Sequence, residues 1–427
     1  MKSWLECISC SARMPLTERH FLCPNCDSLL DVRHDFAHLR ADTLRDRFAE
    51  RLGSADLPYS SGVWRYKELV WPELDDAAII SHPEGNTNLY HSVSLGKCAD
   101  VSQIWFKHEG ENPTGSFKDR GMTGAITHAI AVGARRLACA STGNTASSLA
   151  SYAAKANLPC IVFVHRAGVS ESKQAQMLDY GATVLHIDTD FDTNLALVRQ
   201  IAESGHAYLA NSLNPMRLEG QKTIIFESLQ QLNWAVPDWI IVPGGNLGNV
   251  SAFGKALTEL HSLGMIRDLP RLAVIQAEGA SPFYRSYQNG YAALDVKPAQ
   301  TLASAIRIGQ PINFPKAVRA LRATEGVVEC VGDDEILDAR SLLGRHGIGC
   351  EPASAATYAG LLKLRKAGVI SAEETVLCVL TGHGLKDTQT AIAYHMEELP
   401  EIAGKYLNQP VPVEGEVSAI LSALQWQ

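Results

Sequence analysis

The sequence predicts an α/β fold in which parallel β-sheets are covered by helices. From about residue 103 onward, short apolar runs alternate with stretches of helical periodicity. Parallel strands need a long, usually helical connection between them, and this alternation supplies it. Four polar loops that contain glycine come directly after predicted strands, where sheets of this kind bind ligands. The 427 residues, 46% hydrophobic and 20% charged, are typical of a globular protein with a large core.

The predicted elements follow from the length and periodicity of each segment. Short runs of mostly apolar residues predict strands at residues 104–107, 137–140, 160–164, 183–187, 239–242, 272–276, 327–331 and 375–380. Longer segments of helical periodicity predict helices at residues 145–155, 218–232, 251–263 and 333–345. The charged segment 36–52 is interpreted as an exposed helix or a linker.

Charge and hydropathy exclude several classes of partner. A formal net charge of -8 repels nucleic acid overall, and residues 1–51 balance eight Lys and Arg against eight Asp and Glu. No run approaches the roughly 18 apolar residues of a membrane span. The first residues also lack the apolar region of a signal peptide. We therefore expect a cytoplasmic protein that binds neither nucleic acid nor a membrane.

Four of the ten cysteines form a candidate metal site. Cys7, Cys10, Cys23 and Cys26 follow a C-x2-C-x12-C-x2-C pattern, which can supply four thiolates to one tetrahedral ion. We interpret residues 1–35 as a zinc-ribbon-like segment, with iron or unligated thiols as the alternatives. Four protein ligands leave no open position, so the expected role of the metal is structural. The other six cysteines are isolated, as buried thiols in a reducing compartment often are.

The first polar loop, residues 111–121, contains a candidate nucleophile. Pro113 and Gly115 favour a turn, and Ser116 is expected to cap the helix that follows. Lys118 then lies in the first turn of that helix, where the helix dipole disfavours a cation. A neutral amine is what a lysine needs to form a Schiff base with an aldehyde. The alternative is an ordinary surface lysine.

The second loop, residues 242–250, is a candidate site for an anion. Its glycines allow backbone N–H groups to turn inward at the start of a helix, where a phosphate is favoured. The loop is neither a dinucleotide-binding G-x-G-x-x-G motif nor a P-loop, so a plain tight turn is the alternative.

Two further loops present neutral donors and acceptors. Residues 141–148 offer several hydroxyl groups and the amide of Asn144 between a strand and a helix. Residues 380–386 place the hydroxyl of Thr381 at the end of a strand, where it could bond a heteroatom. A helix cap and a simple turn are the alternatives for these two loops.

Together the four loops resemble those of the fold-type-II pyridoxal-phosphate enzymes, and specifically of the threonine synthases. The resemblance runs from about residue 83 to the C-terminus. It includes segments 84–87, 211–223, 276–279, 305–309, 350–356 and 381–386. Segments 211–223 and 381–386 are the more specific to threonine synthases, whereas the lysine and glycine loops are shared with the wider superfamily. Asn88 departs from the family, which usually has proline there.

The resemblance implies a role for each candidate residue. Lys118 would form the Schiff base with pyridoxal phosphate and would be the one side chain that transfers protons. The cofactor would also contact Asn144, Gly244, Gly245, Asn246, Leu247, Gly248, Asn249 and Thr381. The substrate carboxylate would bind Ser141, Thr142 and Thr145, and its phosphate would bind Asn211, Ser212 and Arg217. An ion pair between Arg217 and Glu219, or another acid, is the structural alternative.

The implied reaction converts O-phospho-L-homoserine and water to threonine and phosphate by γ-elimination and β-addition. Residues 36–115 and 211–427 would form a large domain and residues 116–210 a small one, and a homodimer is one candidate assembly. Cysteate synthase and threonine or serine dehydratase are the rival activities of this fold. A zinc-ribbon binding protein on an inactive enzyme fold is a rival of another class, and the presence of Lys118 argues against it. The missing glycine fingerprint argues against a nicotinamide oxidoreductase.

Overall fold

The computed structural model describes residues 3–165, 170–188 and 191–424. Its strands are β1 (Ser3–Cys7), β2 (Arg13–Pro15), β3 (Leu30–His34), β4 (Leu89–His91), β5 (Gln103–His108), β6 (Leu137–Ala140), β7 (Cys160–His165), β8 (Thr183–Ile187), β9 (Tyr208–Leu209), β10 (Trp239–Pro243), β11 (Arg271–Ala277), β12 (Val327–Val331) and β13 (Thr375–Leu380). Its α-helices are α1 (Ala41–Glu50), α2 (Lys67–Val70), α3 (Val93–Ala99), α4 (Lys118–Ala131), α5 (Asn144–Lys155), α6 (Glu171–Asp179), α7 (Phe191–Glu203), α8 (Pro215–Gln221), α9 (Thr223–Gln231), α10 (Gly248–Ser262), α11 (Pro282–Gln288), α12 (Phe314–Ala323), α13 (Asp333–Arg345), α14 (Pro352–Lys366), α15 (Thr388–His395) and α16 (Val417–Leu424).

The strands form three sheets. A three-stranded antiparallel sheet of order β2-β1-β3 comes first in the chain. The largest sheet has the order β12-β11-β10-β13-β5-β4 and is parallel except for β4, which runs antiparallel to β5. The third sheet, of order β8-β7-β6-β9, is parallel and lies wholly within residues 137–209. The α/β fold with parallel sheets is therefore confirmed.

The buried strands explain why the sequence predicted this part of the fold well. Every residue of β6 and of β10 is buried, as expected for strands covered by helices on both faces. Such strands appear in the sequence as continuous apolar runs, and all eight predicted strands are confirmed to within one residue at each end. The strands that the sequence analysis missed are β1, β2, β3, β4 and β9, of two to five residues each. Three of them have only two or three residues, and β1 and β3 mix polar with apolar residues, so none is a continuous apolar run of the kind that predicts a buried strand.

Two predicted helical segments differ from the structure. The helix predicted at residues 218–232 starts earlier and is divided at Lys222 into α8 and α9. The segment 36–52 is helical only at α1, and Leu44 and Phe48 on one face of α1 are buried in the core. The expectation of an exposed segment is therefore wrong for that face, because two apolar residues four positions apart suffice to anchor a short amphipathic helix.

Glycines allow α4 and α8 to pack in close contact. A Cβ atom on Gly124 would lie 2.7 Å from the carbonyl oxygen of Met216. A Cβ on Gly220 would overlap the backbone of Arg120. This close approach brings the first turn of α4, with Lys118, beside the helix that carries Arg217.

None of the helices that the structure describes has the length and apolar character needed to span a membrane.

Candidate active site

The turn before α4 is braced by a buried carboxylate. Asp119 accepts hydrogen bonds from the backbone N–H and the hydroxyl of Thr114, both at 2.7 Å, and from the hydroxyl of Ser148 at 2.6 Å. Burial raises the pKa of Asp119 to about 6 against the opposing effect of these donors. Ser116 does not cap the helix as expected: α4 begins after Phe117 without a side-chain cap, and the Ser116 hydroxyl has no partner in the described chain.

The amine of Lys118 makes no hydrogen bond or ion pair with any described residue and lies 4.1 Å from the centre of the Phe117 ring. Burial lowers the pKa of Lys118 from 10.5 to about 7, Arg217 lowers it further, and Glu351 opposes the shift. Removal from water penalises the charged ammonium more than the neutral amine. A nucleophilic amine is therefore available near neutral pH.

The loop at the start of α5 faces a buried ion pair. Asn144 donates its side-chain N–H to Glu351 at 2.8 Å, and its carbonyl Oδ1 has no partner in the described chain. The other oxygen of Glu351 lies 2.8 Å from the ammonium of Lys173. Glu351 and Lys173 were not singled out from the sequence, although Glu351 lies in a quoted family segment. The hydroxyl-bearing residues Ser141, Thr142 and Thr145 are half-buried beside Asn144.

The end of β13 is bonded directly to the lysine turn. Phe117 donates its backbone N–H to the carbonyl of Thr381 at 3.0 Å, and His383 donates its own to Gly115 at 2.9 Å. The hydroxyl of Thr381 lies 3.2 Å from that of Ser354. The polar contact of the Thr381 side chain is thus a neutral hydroxyl. Ser354 was not singled out from the sequence, because only the packing of α14 against β13 brings it beside Thr381.

The glycine loop between β10 and α10 presents a row of unpaired donors. The backbone N–H groups of residues 245–249 have no hydrogen-bond partner in the described part of the chain. Leu247 adopts a left-handed conformation, with φ of 61°, and this turns the loop into the helix. A Cβ atom on Gly245 would lie 3.1 Å from the carbonyl oxygen of Ala305, so a larger residue would crowd the loop. Asn246 holds the loop in place by accepting the N–H groups of Ile312 and Asn313.

Arg217 on α8 is a buried cation without a counter-ion. Its Nη1 donates to the carbonyl of Ala210 at 3.2 Å, whereas Nε and Nη2 have no partner in the described chain. Burial lowers the pKa of Arg217 to about 10. Glu219 instead contacts His34, Lys222 and Lys255. Among the residues that the structure describes, Arg217 therefore lacks the ion pair that was its structural alternative.

The two other candidate phosphate ligands differ from Arg217. The side chain of Asn211 pairs with Ala140 in both directions, accepting its N–H at 3.0 Å and donating to its carbonyl at 2.9 Å. Ser212 is half-buried, and its carbonyl accepts a bond from Asn313. Because Asn313 also bonds to Asn246, it links this segment to the glycine loop.

These groups fit the parts of pyridoxal phosphate. A neutral lysine suits its aldehyde, and the unpaired N–H groups of the glycine loop suit its phosphate. The Oδ1 of Asn144 and the hydroxyl of Ser116 are buried polar groups near the lysine turn that have no partner among the described residues. Buried polar groups without a partner are costly, so their concentration around one lysine favours a polar ligand.

The four N-terminal cysteines converge on one point. Their sulfur atoms all lie within 4.8 Å of one another, and Cys7 is 3.5 Å from Cys26. Sulfurs that share a tetrahedral zinc ion are separated by about 3.8 Å. Burial by itself would raise the pKa of the Cys7 thiol, but the N–H groups of Cys10 and Ser9 outweigh it and lower that pKa to about 6. The cluster suits a thiolate-binding cation.

The cysteine-bearing sheet is bonded to the helices of the site. His34 at the end of β3 lies 2.7 Å from Glu219 on α8, with both side chains fully buried. Met216, next to Arg217, belongs to the same apolar cluster as Leu5 and Cys7. The sheet therefore supports the helix that carries Arg217.

The fold and the site together define the class of protein. A family model described as "Pyridoxal-phosphate dependent enzyme" matches residues 80–382, well over half of the chain. Two solved structures share the fold. Maize serine racemase has a TM-score of 0.64 and 20% sequence identity, and the match covers 79% of this chain and 97% of that one. The processed form of threonine deaminase isoform 2 from Solanum lycopersicum has a TM-score of 0.62 and 16% identity, and the match covers 85% of this chain and 94% of that one. At these identities the likeness shows the fold alone.

Relatives of higher sequence identity match most of the length of the chain. Threonine synthase 2, chloroplastic, of Arabidopsis thaliana is 42% identical over 93% of this chain and 79% of that protein. The threonine synthase of Methanocaldococcus jannaschii is 43% identical over 91% of this chain and 94% of that protein. The threonine synthase of Methanosarcina acetivorans is 43% identical over 98% of each of the two chains. The chain belongs to the threonine synthase family of pyridoxal-phosphate dependent lyases.

Proposed function

We propose that the protein converts O-phospho-L-homoserine and water to L-threonine and phosphate. The observation that carries the proposal is the buried guanidinium of Arg217, which has two unused donor nitrogens and no counter-ion among the described residues and lies near enough to Lys118 to lower the pKa of its amine. A buried cation without a counter-ion is costly, and a phosphorylated substrate would supply the missing anion. The planar fork of an arginine suits the oxygens of a phosphate.

The residues around Lys118 would hold the cofactor. We assign its phosphate to the loop Gly244, Gly245, Asn246, Leu247, Gly248 and Asn249, its phenolic oxygen to the amide N–H of Asn144 that does not bond Glu351, and its ring nitrogen to the hydroxyl of Thr381. When bound, pyridoxal phosphate stores the charge left on carbon after a proton is removed. A neutral hydroxyl beside the ring nitrogen does not compel that nitrogen to take up a proton.

The side chains of the protein supply the remaining chemistry. Lys118, with a pKa of about 7, can accept and return protons at the substrate carbons near neutral pH. Arg217 and Ser212 would hold the substrate phosphate and offset its charge as it leaves the γ carbon. Ser141, Thr142 and Thr145 would orient the carboxylate. Because the carbonyl and one N–H of the Asn211 amide are paired with Ala140, its second N–H is the donor left for the phosphate, and we assign Asn211 mainly to positioning this segment.

We also propose that Cys7, Cys10, Cys23 and Cys26 bind one structural zinc ion. The convergence of four sulfur atoms supports a metal, and four protein ligands leave no open position for catalysis. Residues 116–210, which contain the four-stranded sheet, are proposed as a small domain that packs against the larger one, with the cofactor in the cleft between them. A cytoplasmic location agrees with the ten cysteines, which form no disulfide with one another in the structure.

An assay of substrate preference tests the proposed function. The purified holoenzyme is given O-phosphohomoserine or O-phosphoserine, and released phosphate and amino-acid products are measured together. Threonine and phosphate should form in equal amounts from phosphohomoserine, and Lys118→Ala is the inactive control. A preference for phosphoserine with sulfite would indicate a cysteate synthase. Ammonia from threonine or serine as the main product would indicate a dehydratase.

A further inference from the structure

A cavity of about 570 Å³ is lined by none of the residues assigned to the cofactor or the substrate. It is formed by α13, α15 and the segment around Asn408. Its polar lining includes Arg340, Arg345 and His395. Three side chains that carry or can carry a positive charge thus line one cavity.

Arg340 is held in a fixed orientation with one donor group unused. Its Nε donates to the carbonyl of Cys350 at 3.1 Å, and its Nη2 donates to that of Asp387 at 2.6 Å. Its Nη1 is buried and has no partner in the described chain. Carbonyl oxygens satisfy part of the guanidinium without neutralising its charge. Burial, the largest effect, lowers the pKa of Arg340.

Arg345 and His395 add further donors. The Arg345 guanidinium lies 5.5 Å from the centre of the Tyr406 ring, and its Nη2 donates to the carbonyl of Leu407 at 2.9 Å. The Nδ1 of His395 accepts the backbone N–H of Asn408 at 3.1 Å, so a neutral His395 carries its proton on Nε2. Burial lowers the pKa of His395, and the charges of Arg340 and Arg345 lower it further.

The neighbouring carboxylates are occupied by other partners. Asp338 accepts hydrogen bonds from the hydroxyl of Tyr394 at 2.7 Å and the N–H of Lys405 at 2.9 Å, and it pairs with the Lys405 ammonium. Asp387 caps α15 by accepting the N–H of Thr390 at 3.2 Å. Within the described residues, neither arginine of the cavity has a carboxylate in ion-pair contact. The cavity therefore presents two guanidinium groups without a direct ion pair, although the more distant charges of Asp387 and Glu351 raise the pKa of Arg340 against the effect of burial.

We propose that this cavity binds a small metabolite with a divalent anionic group, either a phosphate monoester or a dicarboxylate. Its volume lies within the range of small-molecule sites. Two guanidinium groups and an imidazole N–H match the oxygens of such a group. The site goes beyond the proposed function. It adjoins the active site, because Arg340 also bonds the loop that follows Thr381 through the carbonyl of Gly384 at 3.4 Å.

The test measures the pKa of His395 by NMR titration of the holoenzyme with isotope-labelled histidine. The variant His395→Gln lacks this signal and so assigns it. The probes are inorganic phosphate and succinate, each compared with potassium chloride at equal ionic strength. A bound dianion favours the protonated imidazole, so saturating phosphate or succinate should raise the pKa of His395 by roughly 0.5–1 unit. Tighter binding of phosphate would indicate a phosphate monoester as the natural ligand, and tighter binding of succinate a dicarboxylate.

A matched pair of variants separates this site from general charge effects. Arg345 and Arg322 are both exposed arginines in the last turn of a helix. Each guanidinium lies over a tyrosine ring, at 5.5 Å from its centre for Arg345 and at 5.6 Å for Arg322. Arg345→Gln should weaken binding of the better probe about three- to tenfold, and Arg322→Gln should leave it unchanged. A His395 signal that responds equally to chloride, or equal weakening in both variants, would overturn the proposal.

Discussion

The guanidinium of Arg217 lies close enough to the amine of Lys118 to lower the pKa of that amine. Neither cation is neutralised by a carboxylate in ion-pair contact within the described chain, although Glu351 exerts a weaker opposing effect on Lys118. The positive charge of Arg217 favours the neutral amine of Lys118, and Arg217 itself has no counter-ion among the described residues. The same pair therefore suits both proton transfer and the binding of a phosphorylated substrate.

The rate of cofactor capture should depend on pH with a midpoint near the pKa of Lys118. Because burial lowers this pKa from 10.5 to about 7, the neutral amine that attacks an aldehyde accumulates as the pH rises through about 7. We expect the apoprotein to bind pyridoxal phosphate covalently at a rate that levels off above about pH 8. Stopped-flow absorbance measures this rate, with Nα-acetyllysine as the control. A midpoint near 10 would contradict the low pKa, and Arg217→Leu should move the midpoint upward.

Arg217→Leu should impair use of the phosphorylated substrate. A charge-assisted hydrogen bond contributes roughly 1.5–3 kcal/mol, so kcat/KM for phosphohomoserine should fall by about ten- to several-hundredfold. Cofactor absorbance should be retained, because the cofactor phosphate is assigned to the loop of residues 244–249. Arg217→Lys should restore only part of the activity, since an ammonium lacks the planar fork. Normal use of phosphohomoserine by a folded variant with its cofactor would remove the substrate assignment.

Thr381→Asp should impair the reaction although aspartate can still bond a ring nitrogen. A carboxylate favours a protonated nitrogen, which would strengthen charge storage and redirect the chemistry. We expect a lower rate of threonine formation and a larger share of side products, measured by chromatography of the reaction mixture. Thr381→Ser is the matched control, because it keeps a neutral hydroxyl within reach of Ser354. An unchanged rate and product ratio in Thr381→Asp would argue against this pairing.

Replacing Cys7 and Cys10 with serine should remove the metal and lower stability. Elemental analysis should find about one zinc ion per chain in the wild type and almost none in the double variant. The thermal midpoint should fall by at least about 5 °C, because the sheet that contacts α8 through His34 and Glu219 loses its metal. Cys98→Ser is the control, since Cys98 is exposed and remote in sequence from the cluster. Metal-free wild-type protein purified without chelator would refute the site.

The sequence by itself determined the elements whose signal is local. Strands such as β10 are buried on both faces, so a continuous apolar run in the sequence is enough to predict them. The lysine turn, the glycine loop and the cysteine spacing are also short segments whose chemistry depends on neighbouring residues. The resemblance to threonine synthases could be stated from these segments because each is contiguous in the chain.

Only the tertiary structure decided which distant residues meet. Glu351 joins Lys173 to Asn144, and Ser354 lies beside Thr381, because α14 packs on the sheet that ends in β13. The free guanidinium of Arg217 could not be inferred either, since Glu219 two positions away is a plausible partner until the fold directs it to His34. Electrostatic balance depends on distance in space, and a sequence records distance only along the chain.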